Sequence, residues 1–577
     1  MMRVSEEGGG YAPIQQIASR KMSQATFGMQ LKGHKRARLI ILFFLIAFSA
    51  VGVRLGQLTI GTPRPVDLAQ EADDKIPRPE IVDRNGELVA TDIQVASLFA
   101  DPRKIIDIDE AVEQLTANLP RLKADEVRRK LSDRNRAFTW LARQISPDEQ
   151  AIIHNLGIPG IGFRWERQRI YPKGRLAGHL VGFVDIDSRG IAGMERYLDD
   201  QGQLLVASLA DPLEAKAGPV TLALDVRVQH AMTEELQKAK EKFSAVAAAG
   251  VVMDVNTGEI LAMSSIPDFN PNDPVEALQK DRINRLTTAV YEMGSTFKTV
   301  TFAMCLDAGV SMQSRWDARG ALVIGRSRIG DFRAENRVLS LPEVFTYSSN
   351  IGTARMALDQ GIEKHQAFLR KLGFFGRMRT EIPESAAPLV PARWGKISTA
   401  TIAFGHGMSV APLQLLSAVA AFMNGGKLIP PTFLKRDPEL MAGLGEQVIK
   451  PETSDKMRYL LRLNGQIGSA KKADVKGYRV GGKTGSAEKV VNGQYSKGKN
   501  VTNFIAGFPM EKPQYLVFVL LDEPNALKET YGFRTSGWNA VPTGGKIIER
   551  IAPLLGVLPK FDDGTTKGVA IAASLLQ

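Results

Sequence analysis

The longest unbroken apolar stretch runs from Leu39 to Val53 (LIILFFLIAFSAVGV) and carries no charge. As a helix it reaches about 22 Å, against a bilayer core of roughly 30 Å. Extended over Ala37–Leu58, with Arg38 and Arg54 snorkelling to the interfaces, it spans. Arg20, Lys21, Lys32, Lys35, Arg36 and Arg38 precede it with no acid among them, whereas Asp67, Glu71, Asp73 and Asp74 follow. This asymmetry predicts a membrane anchor over 39–58, an N-terminus in the cytoplasm and an exported remainder. A cleaved signal segment ending at Ala50-Val51-Gly52 and a buried core helix are the competing readings. The long basic leader speaks against the first, the charge asymmetry against the second.

Around this anchor, 1–38 reads as a disordered arm with Gly8, Gly9 and Gly10, and 59–77 as a linker. From Arg78 short β-like runs alternate with turn signals such as Asp83-Arg-Asn-Gly86. Basic amphipathic helices are expected across 110–155 (for example Ala124–Leu131), then a strand over Leu180–Val184, and the first module closes near 218. The second, 219–559, opens with a strand at Val220–Leu224 and a helix over Val226–Lys242. Val251–Asp254 and Ile260–Met263 flank Asn256-Thr-Gly258 as a hairpin. Helical patterning fills Gly294 to Ala421. Strands return at Gly481–Val490, Phe504–Phe508 and Tyr515–Leu521, before a helix over Gly545–Leu555. Strands at both ends with helices between predict an α+β fold, one antiparallel sheet assembled from both ends of the module around a helical insert. Residues 560–577 read as a flexible tail.

Composition narrows the chemistry. With 577 residues, 44% hydrophobic and 24% charged, the chain is neither disordered, collagenous nor coiled coil. A single cysteine, Cys305, rules out an intrachain disulfide and a cysteine-based zinc site, and is expected as a small core residue. The six histidines are scattered, with none close in sequence to the three reactive motifs below. Subtracting 62 acidic from 74 basic residues leaves +12, which suits an anionic partner without choosing one. No motif supports nucleic acid. Asp83 and Glu195 could pair as carboxylates, but solvated-turn or interdomain roles are the expectation.

Three short motifs occur in order: Ser295-Thr-Phe-Lys298 after Gly294, Ser348-Ser-Asn350, and Lys483-Thr-Gly485 followed by Ser486. Positions i and i+3 share a helix face, so the Ser295 hydroxyl and the Lys298 amine are expected to touch. Phe297, Val300 and Met304 supply an apolar stripe, and Gly309 ends the helix. Ser-x-x-Lys alone is common, and Ser469/Lys472 and Ser496/Lys499 repeat it. Only the Ser295 copy is followed by both other motifs. A serine needs a base to become a nucleophile. With no histidine at hand, Lys298 is the candidate, its usual value of about 10.4 depressed by burial and by a second ammonium, Lys483. Ser348 can relay a proton and Asn350 can orient Lys298 and a substrate amide. Lys483, Thr484 and Ser486 can receive a carboxylate, and Gly485 leaves room for substrate along the strand.

This ordered set resembles the penicillin-interacting serine acyltransferases, and more narrowly the class B penicillin-binding proteins of the septal, cell-division type. Asp83-Arg-Asn-Gly86, Arg169-x-Tyr-Pro-x-Gly174 and Gly190-x-x-Gly-x-Glu195 match the family's pedestal motifs. Gly405-x-Gly407 through Pro412-Leu-Gln414 and Asn424-Gly-Gly426 match its second module. Met293 stands where the family commonly has proline, and Pro79 where it commonly has glycine.

The resemblance implies a five-stranded antiparallel sheet with helices on both faces and a helical subdomain, preceded by an elongated α+β pedestal (78–218). It implies that Ser295 attacks the D-alanyl-D-alanine amide of a peptidoglycan stem peptide, releases D-alanine and passes the acyl group to an amine. Backbone N–H groups of Ser295 and Ser486 would form the oxyanion hole, β-lactams would acylate Ser295, and no metal or organic cofactor is needed. Division-complex membrane proteins, including a lipid-linked glycan polymerase, are the implied partners. An elongation-type transpeptidase, a D,D-carboxypeptidase or β-lactamase, and a β-lactam sensor or scaffold share the acyl-enzyme. No Glu-x-x-Leu-Asn follows Asn350 to activate water, and the leader offers a sensor no effector domain.

Overall fold

The computed structural model describes residues 41–54, 78–201 and 218–561, apart from 438, 440–442 and 492. The expected arm (1–38), linker (59–77), the ends of the 39–58 anchor and the tail beyond 561 lie outside the described residues. Residues 41–54 form a helix whose apolar side chains are almost all exposed. No helix among the described residues is long and apolar enough to cross a membrane.

The central sheet runs Gly481–Val491, Gln494–Phe508, Tyr515–Asp522, Ala247–Asp254, Ile260–Ile266, every neighbour antiparallel. Its middle strand YLVFVLLD shows no polar alternation because both faces are covered. Leu516, Phe518 and Leu520 point into one core with Phe297, Val300 and Met304. Val517, Val519 and Leu521 point into the other, against Val228, Met232 and Leu236 of helix Val226–Lys242 and Ile547 and Ile548 of helix Ala540–Leu554. The hairpin around Asn256-Thr-Gly258 forms as expected, Asp254 Oδ1 accepting from Asn256 N (2.8 Å) and Thr257 N (3.1 Å). Gly481–Val491 is an edge strand, paired through Lys483↔Ile505 and Gly485↔Asn503 on one side.

Several boundaries differ from the pattern. Leu180–Val184 is a single helical turn, Gly178–Val181, followed by a two-residue strand, because Gly182 at φ +74° breaks the run. Helices in 110–155 are interrupted by strand Thr139–Ile145, whose apolar residues pair with Ala96–Ala100. Inside the helical insert, Arg315–Asp317 pairs with Val338–Ser340 and Leu322–Ile324 with Ser327–Ile329. The strand at 220 stops at Thr221, the strand at 504–508 starts at Gln494, and the last helix starts at Ala540.

In 78–201, strand Leu88–Ala100 is flanked by Thr139–Ile145 and Ile161–Ile170 and covered by helices Ile108–Asn118, Ala124–Ser132 and Pro147–Asn155. Asp83 and Glu195 are not solvated: both are fully buried. Asp83 Oδ2 accepts from Val226 N (3.1 Å), tying the two regions together. Glu195 lies between Arg78 (2.8 Å) and Arg169 (2.7 Å), an ion pair out of water that holds only because both cations reach it. Arg169 also donates to the Pro79 carbonyl at 2.8 Å, a bond that proline, which keeps its carbonyl, can accept.

Candidate active site

Gly294–Phe297 forms a 3-10 turn that leads directly into helix Lys298–Asp307. Lys298 to Leu306 are buried on every side, so the expected single stripe is a fully enclosed helix. Gly309, at φ +93°, ends it. Cys305 is a core residue as expected, its thiol buried and its pKa pushed up by that burial. The nucleophile turn is pinned by close backbone approach. A Cβ on Gly294 (φ +55°) would lie 2.5 Å from the Ser486 carbonyl oxygen, and one on Gly405 would lie 2.0 Å from the Gly294 oxygen. Met293, at φ −82°, keeps a proline-like backbone, and its carbonyl accepts from Thr296 Oγ1 (2.8 Å) and Asn503 Nδ2 (3.1 Å).

Ser348-Ser-Asn350 forms the turn between helices Leu341–Thr346 and Asn350–Gln360, where Ser349 Oγ caps the second by accepting from Gly352 N at 3.0 Å. Ser348 sits at φ +58°, a left-handed conformation that costs a serine about 1–2 kcal/mol. The two motif lysines meet there. Lys298 Nζ donates to the Ser348 carbonyl, to Ser348 Oγ (3.1 Å) and to Asn350 Oδ1 (2.8 Å). Lys483 Nζ donates to Ser348 Oγ from the other side, at 2.9 Å. Both lysines have zero exposure. Burial, then the charge of Lys483, drives the Lys298 amine well below its ordinary value, while Asp331 opposes this. Burial lowers Lys483 to about 7.

The expected Ser295–Lys298 contact is not made: no hydrogen bond joins them among the described residues, and Lys298 is held by Ser348 and Asn350 instead. Catalytic hydrogen bonds of this kind often tighten only with substrate in place. Thr484 and Ser486 alternate with Lys483 and so turn to the other face of the strand. There Thr484 Oγ1 meets Ser469 Oγ at 2.8 Å and Ser486 Oγ accepts from Ser536 N at 3.0 Å. A Cβ on Gly485 would strike the Met293 oxygen at 2.3 Å, so glycine here lets the strand close on the nucleophile turn. The decoy lysines are occupied elsewhere. Lys472 lies over the Trp538 ring at 3.1 Å, and Lys499 faces Glu523 at 3.5 Å.

Sequence reading missed four neighbours. His406, between Gly405 and Gly407, is held at about 4 by burial and then by the charge of Lys298, which lies near enough to act on it. The reading that no histidine stands near a motif is therefore corrected, because the fold folds the 405–407 turn back onto Gly294. Glu292 accepts from Gly407 N (2.8 Å) and Tyr495 Oη (3.0 Å) beside the same turn. Ser469, set aside as part of a decoy motif, is a partner of Thr484. Asp331 carries no motif of its own.

A serine turn, two depressed lysines and a strand edge packed together can run acyl transfer through an ester. Comparison with known proteins agrees. Residues 248–540 match the family model for the penicillin binding protein transpeptidase domain, and residues 73–203 that for the penicillin-binding protein dimerisation domain. Probable peptidoglycan D,D-transpeptidase FtsI of Caulobacter vibrioides is 40% identical over 541 residues, covering 91% of this chain and 90% of that protein. Probable peptidoglycan D,D-transpeptidase PenA of Neisseria meningitidis is 32% identical over 553 residues (90% and 93%). Peptidoglycan D,D-transpeptidase FtsI of Escherichia coli K12 is 30% identical over 525 residues (85% of each). With its dimerisation and transpeptidase domains in that order, the chain belongs to the class B penicillin-binding proteins.

Proposed function

We propose that this chain is a septal peptidoglycan D,D-transpeptidase, anchored in the cytoplasmic membrane by 39–58, with a non-catalytic pedestal at 78–218 and its catalytic domain at 219–559. The observation that carries the reading is the pair of buried lysines converging on Ser348 beside the nucleophile turn. A base that must accept a proton near neutrality needs the environment that Lys298 has.

Ser295 Oγ attacks the carbonyl of the penultimate D-alanine and its proton passes to Lys298. The backbone N–H groups of Ser295 and Ser486 hold the oxyanion, a donor arrangement worth about 3 kcal/mol per group. The C–N bond breaks, and the departing D-alanine amine takes its proton through Ser348 from the lysine pair. Lys483 receives the donor's terminal carboxylate along the strand, while the Thr484 and Ser486 hydroxyls on the strand's other face are held by Ser469 and Ser536. An acceptor amine then attacks the ester; the new C–N bond forms, the C–O bond breaks and Ser295 regains its proton. β-Lactams enter as mimics of the donor. The basic flank before Leu39 supports the anchor, and division-complex membrane proteins, including a lipid-linked glycan polymerase, are the proposed partners.

The full-length protein is incubated with fluorescent penicillin and the adduct mapped by mass spectrometry. Label on Ser295, lost in Ser295→Ala, is expected; label elsewhere sinks the assignment. A stem-pentapeptide donor with an amine acceptor should give D-alanine and cross-linked dimer, whereas release without dimer points to a carboxypeptidase. Depletion in cells should give filaments; rounding indicates elongation duty.

A further inference from the structure

Behind the Ser348–Asn350 turn stands an acidic side chain that belongs to none of the three motifs. Asp331 follows the small hairpin Leu322–Ile324/Ser327–Ile329. Its carboxylate accepts from Ser349 Oγ (2.6 Å), from Asn350 N and from Ile351 N (3.0 Å). The carbonyl of its neighbour Gly330 accepts from Asn350 Nδ2 at 3.1 Å. An amide has one donor end and one acceptor end, so tying the nitrogen to Gly330 aims Oδ1 at Lys298 Nζ, 2.8 Å away. The same grip braces Ser348 in its left-handed conformation, which a serine keeps only where its surroundings over-determine it.

We infer that Asp331 is a positioning residue for acyl transfer: with Gly330 it clamps the Ser348–Asn350 turn onto Lys298 and supplies an anionic counterweight to that lysine. This rests on Ser295 and Lys298 being nucleophile and base. The titratable groups that face Lys298 come from three elements: Lys483 on the edge strand, Asp331 on the loop, and His406 on the 405–407 turn. Lys483 disfavours the ammonium form of Lys298 and Asp331 favours it. His406 is held neutral at working pH.

Acylation of full-length protein by fluorescent penicillin is followed as a function of pH for wild type, Asp331→Asn and Asp331→Ala, with adduct mapping and thermal melting in parallel. Asp331→Asn keeps an oxygen for the two backbone N–H groups and can exchange donor and acceptor roles with Ser349, but it removes the charge. Lys298 then loses its proton more readily, so the acid limb of the rate profile should move down by about 1 in pH. Asp331→Ala releases the turn as well, and acylation should slow by about 10²-fold, the cost of a misplacement near 1 Å. An acid limb that stays put in Asp331→Asn overturns the inference, as does a wild-type rate in a folded Asp331→Ala. If Asp331→Ala does not fold, Asp331→Asn decides alone. Wild type unlabelled at Ser295 would instead defeat the reading of the site itself, so the two failures are distinguishable.

Discussion

Two amines aimed at one hydroxyl oxygen cannot both stay charged without mutual repulsion, and neither Lys298 nor Lys483 has water to relieve it. The pair titrates as a unit in which near-neutral pH removes a proton that an exposed lysine would keep. The rate of a base that must be neutral rises as pH climbs through its pKa. Wild-type acylation should therefore show an acid limb well below the pH at which an exposed lysine gives up its proton, because burial and then the charge of Lys483 lower the Lys298 amine. Lys483→Ala removes the like charge, so Lys298 holds its proton more tightly and the limb should move up by about 1 in pH, with a lower plateau. A pH series of penicillin acylation rates checks this, and a limb moving downward contradicts it. The lysines could be picked out because their motifs recur in order along the chain. His406 and Ser469 could not, because what makes them neighbours of Lys298 and Thr484 is a chain reversal, not a spacing.

Where elements meet, the site depends on missing side chains. The nucleophile turn, the edge strand and the 405–407 turn approach so closely at Gly294 that no Cβ fits. Gly294→Ala would add about 1–2 kcal/mol for its φ of +55° and push against the Ser486 carbonyl. The expected outcome is a lower melting temperature and at least a tenfold drop in Ser295 labelling, about what 1.4 kcal/mol lost in the transition state gives. Labelling at the wild-type rate would mean that the strand can retreat without cost. At this scale, periodicity located helix Val226–Lys242 at its observed bounds and four of the five central-sheet strands to within four residues, but it missed the first ten residues of Gln494–Phe508. It failed where short runs are ambiguous. Thr139–Ile145 is amphipathic enough to read as helix, and only its pairing with Ala96–Ala100 makes it a strand.

For the molecule as a whole, the region 78–201 is joined to the rest by specific polar ties. Asp83 accepts from Val226 N, Arg84 N donates to the Leu224 carbonyl (2.9 Å), and Ile81–Val82 pairs in parallel with Val220–Thr221. Glu195 anchors the start of this region through Arg78 and strand Ile161–Ile170 through Arg169. Glu195→Ala would leave two buried cations without their shared carboxylate, a loss of about 3–5 kcal/mol. Calorimetry should then show a new low-temperature transition, while Ser295 is still labelled below it. A single unshifted transition would show that Asp92, which meets Arg169 at 3.1 Å, and Asp199, which meets Arg78 at 2.8 Å, suffice as counter-charges.

The ordered motifs, the strand–helix–strand layout and the all-apolar middle strand were determined by the sequence alone, because each rests on local chemistry: reactive side chains, turn residues and hydrophobic period. Only the tertiary structure decided which groups share a solvent-free space. It moved Lys298 from Ser295 onto Ser348 and Asn350, placed Asp331 behind that turn, brought His406 alongside, and buried Asp83 and Glu195. Burial and long-range charge proximity are properties of the packed chain, and a lysine's readiness to give up a proton depends on both.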